Sequence, residues 1–368
     1  MYDKDERVVI TLDAGGTNLV FGAMRGCEYV GDPLTLPSNS HDLDLCLQAM
    51  VTGFEAVIAR LGEKPAAISF AFPGPADYAA GIVGGYLPNF PSFREGVALG
   101  PCLEEKFGVP VFINNDGDLF AFGEAMAGAL PDVNRRVAEA GGEKAFSNLL
   151  GYTFGTGLGI GMVIGGRLNE GNNSCIETYC LPALRVEGAM AEDYASIRAI
   201  TREYGYLSGN PDHGLTPKEI CEIADGKRDG DRDAAVEAFR LFGEQAGDVM
   251  ATAVSLTDSL IVLGGGLTGA AHHIVPALIE RMRSSVKAVN GEDVRRVQPE
   301  VFDLDNPEEF DRFVKGAARK LKVYGSTDRY VTYDPMKRTG VILSKLGASK
   351  AISIGAYAFA LAKLDARD

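Results

Sequence analysis

The chain has 368 residues, of which 46% are hydrophobic and 23% charged, and its formal net charge is −14. This length suits two domains, and the composition is that of an ordinary globular protein. So acidic a chain repels nucleic acid and anionic membranes, and we expect neither as a partner. The sequence lacks a run of ~18 apolar residues, so it predicts no membrane span. Its charged start is unlike a signal peptide, and we expect a cytoplasmic protein.

The first predicted elements form a hairpin. Val8 to Leu12 is a β-branched run typical of a buried strand, and Leu19 to Met24 is a second apolar run. Asp13 to Asn18 joins them as a glycine-containing turn. The next segments are predicted as a helix over Leu43 to Leu61, strands over Ala66 to Phe72 and Val109 to Asn114, and a helix over Leu119 to Gly128.

The same pattern restarts after a polar stretch, with a strand over Leu149 to Phe154, a Gly/Thr turn and a strand over Ile160 to Ile164. This repeat predicts an α/β protein with two related domains and a cleft between them. The remaining predictions are helices over Ala189 to Tyr204, Thr216 to Ala224, Asp233 to Leu256 and Ala351 to Leu361, and a strand over Ser259 to Leu263. Asn290 to Lys345 shows no clear pattern.

The turn after the first strand is a candidate phosphate site. Gly15 and Gly16 let the backbone approach a ligand, and Thr17 and Asn18 add donors. Asp13 at the strand end can hold Mg²⁺ through water. An ordinary hairpin turn explains these residues equally well.

The second glycine turn contains Gly155, Thr156 and Gly157 and precedes a strand. A dinucleotide fingerprint must open a helix, so we reject that interpretation and retain phosphate binding. Gly264, Gly265 and Gly266 follow another strand, where they suit either an adenosine or tight strand–helix packing.

Asp116 is the sharpest catalytic candidate. It follows a buried strand, in the polar run from Asn114 to Asp118, and ligands of open α/β sheets bind at the carboxyl ends of strands. The alternative is that Asp116 caps the next helix. Neither a GxxxxGK[ST] sequence nor an HExxH sequence occurs. By pattern alone, Glu177 and Glu192 are surface charges, and Asn89 lies in a Pro/aromatic loop.

Together these segments resemble the ROK family of sugar kinases and sugar-responsive repressors, which has the hexokinase/actin-like ATPase fold. The segments that carry the resemblance are DAGGTN from Asp13, FPGPAD…LPNF from Phe72 to Phe90, INNDGD from Ile113, FGTGLGIG from Phe154, AEDYAS from Ala191, LGGGL from Leu263 and AISIGAYAFA near the C-terminus. The match covers nearly the whole chain.

The resemblance implies an ATP- and Mg²⁺-dependent, glucokinase-like enzyme with Asp116 as the catalytic base. It implies that the sugar is bound by Asn89, Asn115, Glu177 and Glu192. It implies that ATP is bound by Asp13, Gly15, Gly16, Thr17, Asn18, Gly155, Thr156, Gly157, Gly264, Gly265 and Gly266. We expect domains at 1–130 plus about 350–368, and at 131–349, and a homodimer.

Two family features are missing here. The family's GEIGH segment corresponds to Cys175 to Cys180, which has no histidine, so the identity of the sugar is open. The family's zinc motif is also missing, and only two cysteines lie nearby, so we predict no structural zinc. The six cysteines lack a CxxC pair, and we expect reduced, mostly buried thiols.

Two alternatives remain within the family. An N-acetylhexosamine kinase would share these motifs. A sugar-responsive regulator would carry a helix-turn-helix before the first phosphate turn, and we expect none because that turn begins at Asp13.

Overall fold

The structure, a computed structural model, describes residues 2–74 and 76–367. Its strands are β1 (Val9–Ala14), β2 (Asn18–Arg25), β3 (Glu28–Tyr29), β4 (Leu34–Pro37), β5 (Ala67–Ala71), β6 (Ala76–Asp77), β7 (Ile82–Val83), β8 (Val111–Asn114), β9 (Leu149–Phe154), β10 (Leu158–Ile164), β11 (Arg167–Leu168), β12 (Leu260–Gly264), β13 (Ser285–Lys287), β14 (Asp293–Arg295), β15 (Glu300–Asp303), β16 (Arg319–Lys322), β17 (Tyr330–Tyr333) and β18 (Arg338–Leu343).

The helices are α1 (Leu43–Leu61), α2 (Leu99–Phe107), α3 (Asp116–Ala127), α4 (Ala129–Glu139), α5 (Ile197–Leu207), α6 (Pro217–Ala224), α7 (Arg232–Thr257), α8 (Ala271–Arg283), α9 (Pro307–Lys315) and α10 (Ala348–Asp365). Short 3₁₀ turns span Pro91–Phe93, Ala191–Tyr194 and Gly266–Ala270. None of the helices in the described part of the chain combines the length and apolar character that crossing a bilayer requires.

The chain divides into two compact units, which we describe separately. Unit 1 comprises the described residues of Met1–Pro131, Ile160–Ile176 and Lys345–Asp368, and unit 2 comprises Asp132–Gly159 and Glu177–Ser344.

Unit 1 contains a sheet in the order β3-β2-β1-β5-β8, with β4 paired to β2. The hairpin of β1 and β2 is confirmed, because the two strands pair antiparallel up to Ala14 and Leu19. β1, β5 and β8 run parallel, with Asp13 beside Ala71 and Ala71 beside Asn114. The carboxyl ends of these three strands therefore lie at one edge of the sheet.

Helices α3 and α10 of unit 1 pack with their backbones almost in contact. A Cβ atom added to Gly123 would lie 1.9 Å from the carbonyl oxygen of Ala351, and one added to Gly355 would lie 1.8 Å from that of Leu119. Only glycine permits this approach at either position, so two side-chain-free residues hold the C-terminal helix against the helix that starts at Asp116.

The predicted domain division differs from the units at the segment Ile160–Ile176, which was expected in the second domain and groups with unit 1. Glycines explain this grouping. A Cβ atom on Gly161 would lie 2.2 Å from the carbonyl oxygen of Gly117, and one on Gly117 would lie 2.5 Å from that of Ile160. The middle of β10 thus packs directly on α3.

Unit 2 contains the parallel strands β9, β12, β18 and β15, in that order in the sheet. Its longest helix, α7, packs closely on α8, because Cβ atoms on Gly243 and Gly247 would each lie 2.4 Å from a carbonyl oxygen of α8.

Several sequence-based expectations need correction. The helix predicted over Ala189 to Tyr204 is interrupted: Ser196 is extended (φ −136°, ψ 173°), and α5 begins only at Ile197, whose N–H donates to the carbonyl of Gly155 at 2.9 Å. The segment from Asn290 to Lys345, for which the sequence shows no clear pattern, contributes β15 and β18 to the sheet of unit 2.

The six cysteines are free thiols, as expected. The expectation that most of them are buried is wrong. Cys27 and Cys46 are buried, Cys221 is half-buried, and Cys102, Cys175 and Cys180 are exposed.

Candidate functional site

Two carboxylates stand at the edge of the unit 1 sheet where the parallel strands end. Asp13 is the next-to-last residue of β1, and Asp116 is the first residue of α3, two residues beyond the end of β8. β5 lies between these strands. The structure therefore brings the predicted magnesium ligand and the predicted base to the same edge of one sheet.

The helix α3 is capped by Asn115 and not by Asp116. Asn115 is extended (φ −78°, ψ 162°), and its Oδ1 accepts a hydrogen bond from the N–H of Asp118 at 2.6 Å. Asp116 is already helical, and its Oδ1 accepts from the N–H of Gly117 at 3.0 Å. The alternative role of Asp116 as the cap is therefore wrong, and its Oδ2 has no such bond to the backbone of Gly117.

The protein around the two carboxylates changes their acidity. Solvent reaches both side chains. Partial loss of hydration nevertheless raises the pKa of Asp116, against the opposing hydrogen bonds from the N–H groups of Gly117 and Asp116. Loss of hydration also raises the pKa of Asp13, and the negative charge of Asp116 raises it further. Asp13 and Asp116 thus form an interacting pair.

The first glycine turn has its own backbone pattern. The N–H of Gly15 donates to the carbonyl of Asn18 at 2.9 Å, which closes the hairpin. The carbonyl of Gly16 accepts from the hydroxyl groups of Ser38 and Ser40, at 3.0 Å for Ser40. Thr17 is exposed. Sequence reasoning missed the two serines, although a polar Ser-Asn-Ser run was visible.

The loop that carries Asn89 packs against this turn. A Cβ atom on Gly16 would lie 3.1 Å from Cβ of Asn89. Asn89 is exposed, and the following Phe90 is fully buried, with its ring 4.6 Å from the ring of Phe72. The buried aromatic pair anchors the loop and leaves the Asn89 side chain accessible next to Gly16.

In unit 2 the second glycine turn follows β9, and the triple glycine begins at the last residue of the neighbouring strand β12. The two strands pair parallel up to Thr153 and Gly264, so both turns lie at one edge of the sheet. Gly265 has φ 92°, and a Cβ atom there would lie 2.4 Å from the carbonyl oxygen of Phe154. Close backbone packing therefore requires this glycine.

Glu192 lies against the second turn. Its Oε2 accepts from the N–H of Leu158 at 3.0 Å, and its Oε1 pairs with Arg198 at 3.1 Å. A Cβ atom on Gly157 would lie 2.8 Å from the same Oε2. Sequence reasoning placed Glu192 on the sugar and missed its contact with the turn.

Glu177 is exposed and lies where the chain passes from unit 1 into unit 2. The segment after it is held beside Glu192, because the N–H of Glu192 donates to the carbonyl of Tyr179 at 3.1 Å, and that of Ala191 to Leu181 at 2.7 Å. Unit 2 thus groups Gly155 to Gly157, Gly264 to Gly266, Glu177 and Glu192, whereas unit 1 groups Asp13 to Asn18, Asn89, Asn115 and Asp116.

Comparisons with known proteins identify the family to which this chain belongs. Residues 9–306 match the model of the ROK family. A crystal structure of glucokinase from Parabacteroides distasonis is 53% identical, covers 98% of this chain and 99% of its own, and has a TM-score of 0.89. Glucokinase from Streptomyces coelicolor is 26% identical over 285 residues, which are 71% of this chain and 82% of that protein.

A ROK family glucokinase from Streptomyces griseus, crystallised with glucose and AMPPNP, is 19% identical, covers 95% of this chain and 98% of its own, and has a TM-score of 0.60, which shows a shared fold. The predicted α/β fold, with two related domains of the actin-like ATPase type, is confirmed. With a family model that spans most of its length and a relative at 53% identity over nearly all of it, the chain belongs to the ROK family.

Proposed function

We propose that this chain is an ATP-dependent sugar kinase that transfers the γ-phosphoryl group of ATP to a hexose hydroxyl, with glucose as the first substrate to test. The observation that carries the proposal is the position of Asp116. It is a solvent-accessible carboxylate in the first turn of a helix, at the sheet edge that also presents Asp13, and the cap of that helix is supplied by Asn115.

Asp116 is the base in this proposal. Its Oδ1 is held by the N–H of Gly117, so we assign Oδ2 to the proton of the sugar hydroxyl. As the sugar O–H bond breaks, the oxygen bonds to the γ-phosphorus, the bond to the bridging oxygen breaks, and ADP leaves. A raised pKa makes the carboxylate of Asp116 a stronger proton acceptor.

The glycine turns bind ATP in this proposal. In unit 1, the N–H of Gly15 is used by Asn18, so the N–H of Gly16, that of Thr17 and the exposed Thr17 hydroxyl are the donors for phosphate oxygens. The accessible carboxylate of Asp13 suits a magnesium ion that accompanies ATP, and that ion would neutralise charge on the phosphates.

In unit 2, Gly155, Thr156 and Gly157 contribute further phosphate contacts, and Gly264 to Gly266 accommodate the adenosine. Glu192 then has a role that the sequence did not suggest. Its carboxylate accepts a hydrogen bond from the N–H of Leu158, lies next to Gly157 and stabilises the turn.

The sugar contacts in this proposal come from Asn89, Asn115, Glu177 and Glu192. The Oδ1 of Asn115 is occupied by the cap, so its amide Nδ2 is the group that remains for a sugar hydroxyl. The family histidine has no counterpart between Cys175 and Cys180, so sugar selectivity needs a direct measurement.

The decisive experiment follows ADP release by the purified protein with magnesium and ATP, in the presence of glucose, mannose, fructose, N-acetylglucosamine and N-acetylmannosamine. We expect stimulation by a hexose, with a sugar phosphate detected by mass spectrometry. Stimulation only by an N-acetylhexosamine would keep the kinase and change the substrate class. Sugar binding by calorimetry without turnover of any sugar would identify a regulator and refute the proposal.

A further inference from the structure

Four side chains with metal-binding atoms converge in unit 2, and none of them is among the residues proposed to bind ATP or the sugar. They are Cys221, Asp225, His272 and His273, and one donor atom from each lies within 4.8 Å of the others. We propose that these four residues bind a divalent transition metal ion, with Zn²⁺ as the ion to test. This site is independent of the proposed kinase function.

The ends of two helices build the cluster. Cys221 and Asp225 are four residues apart at the C-terminal end of α6, so they project from the same face. His272 and His273 lie in the first turn of α8. Because about 50 residues separate the two pairs, they form no local sequence motif, and the sequence alone did not identify the cluster.

The two imidazoles are aimed at a single oxygen atom. The Nε2 atoms of His272 and His273 each lie 2.8 Å from Oδ1 of Asp225. The rings lie 4.1 Å apart, and the ring of His273 stacks on buried Phe239 with centroids 5.6 Å apart. The stacking fixes the direction of His273, so the donors are positioned before a metal arrives.

The donor set suits zinc. Two imidazole nitrogens, a thiolate and a carboxylate are all common zinc ligands, and bonds of ~2.0–2.3 Å in a tetrahedron imply roughly 3.3–3.8 Å between ligand atoms. The present span of up to 4.8 Å closes to that size with small side-chain rotations. His272 is 54% exposed, so an ion has a path from solvent.

Lys227 is the competing cation. Its Nζ lies 2.9 Å from Oδ2 of Asp225, and its side chain is 72% exposed. It therefore uses the carboxylate oxygen that the histidines do not, and it can move into solvent when a metal ion binds Oδ1. The carbonyl end of α6 adds negative potential beside the site.

This location differs from the one considered in the sequence analysis. The expectation that the chain has no structural zinc rested on the segment before Glu192, which contains Cys175 and Cys180, and for that segment it stays a prediction. The proposed ion would instead join α6 to α8, the helix that follows the turn after Gly266.

The test uses the full chain, stripped with a chelator and titrated with Zn²⁺ by calorimetry, and with Co²⁺ for spectroscopy. We expect one ion per chain and, with Co²⁺, a thiolate-to-cobalt charge-transfer band. The double variant Cys221→Ser/His272→Asn should lose the band and weaken binding more than about 100-fold, since loss of a supporting contact alone typically costs 10–100-fold.

The matched control is Cys102→Ser/His41→Asn, which removes an exposed thiol and an exposed imidazole from unit 1. It should retain the band and the affinity of the parent. Binding should also raise the melting temperature of the parent by about 5–10 °C at saturating Zn²⁺ and leave that of the site variant unchanged. Equal affinities in the two double variants, or no stoichiometric binding by the parent, would overturn the proposal.

Discussion

Leu158 donates its backbone N–H to Oε2 of Glu192 at 3.0 Å, so the residue expected on the sugar also supports the second glycine turn. The same carboxylate pairs through Oε1 with Arg198, and Gly157 leaves room for it because it has no side chain.

We predict that Glu192→Ala raises KM for ATP, because it leaves the N–H of Leu158 without its acceptor, a loss typically worth ~1–3 kcal/mol, or roughly 5- to 150-fold. Glu192→Gln keeps an oxygen at that position and should retain most ATP affinity. Steady-state kinetics with ATP and sugar varied separately would measure both constants. Asp193→Ala, which removes the neighbouring carboxylate, is the control. A change confined to KM for the sugar would show that Glu192 acts on the sugar alone.

We predict that Asp116→Asn lowers kcat by roughly 10²–10⁴-fold, the usual effect of removing a general base, while sugar affinity stays near that of the parent and the melting temperature does not fall. The stability expectation follows from the cap, which belongs to Asn115. Turnover, calorimetric sugar affinity and thermal unfolding should be measured on one preparation.

The complementary variants change the cap. Asn115→Ala should lower the free energy of unfolding by about 0.5–2 kcal/mol, whereas Asn115→Asp should preserve it, because Asp caps as well as Asn. Turnover by Asp116→Asn within a few-fold of the parent would exclude Asp116 as the base.

A third prediction concerns the pKa of Asp13. Removal of the neighbouring negative charge in Asp116→Asn should lower that pKa, which carboxyl-carbon NMR titration of the parent and the variant would measure. An unchanged pKa of Asp13 would show that the two carboxylates do not interact.

The raised pKa values of Asp13 and Asp116 determine how the free energy of unfolding changes with pH. A carboxylate with a raised folded-state pKa binds protons more readily in the folded protein than in the unfolded chain, so it costs stability as pH rises from the ordinary Asp pKa (~3.9) through the folded value. Asp116→Asn should therefore gain stability relative to the parent at neutral pH. The gain should disappear below about pH 3.9, and chemical denaturation at several pH values would detect it.

The last prediction concerns packing in unit 1. Gly355→Ala would place a methyl group 1.8 Å from the carbonyl oxygen of Leu119, so α10 must move away from α3. We expect the free energy of unfolding to fall by ~1–3 kcal/mol or more, measured by urea denaturation. Gly269→Ala is the control, because a Cβ atom there meets nothing within 4 Å. Equal midpoints for the two variants would contradict the close contact between α3 and α10.

The elements that sequence analysis predicted best are those with local signals. The helix over Leu43 to Leu61 matches α1 at both ends, because Asp42 provides the cap at its start and Gly62 takes the left-handed conformation at its end. The start of α3 was placed three residues late, because Gly117 and Asp118 interrupt the apolar pattern that identified the helix.

Other features lack a local signal in the sequence. Strands β16 and β17 consist of exposed residues, so they show no alternation of apolar and polar side chains. The interruption of the helix predicted over Ala189 to Tyr204 arises from hydrogen bonds to Gly155 and Leu181. Asp13 lies near the end of β1 and Asp116 follows β8, as the sequence predicts, while their roles stay predictions. The contact of Glu192 with Leu158 depends on the three-dimensional structure and has no signal in the sequence.

The packing of α10 on α3 also has a consequence for biosynthesis. Roughly 220 residues separate Ala127, where α3 ends, from Ala348, where α10 begins. At ~5–20 residues per second, a ribosome needs between about 10 and 45 s to span that distance. During this interval the face of α3 that contains Gly123 lacks its native neighbour and is available to chaperones. The segment that carries Asp116 is thus made early and acquires its native packing late.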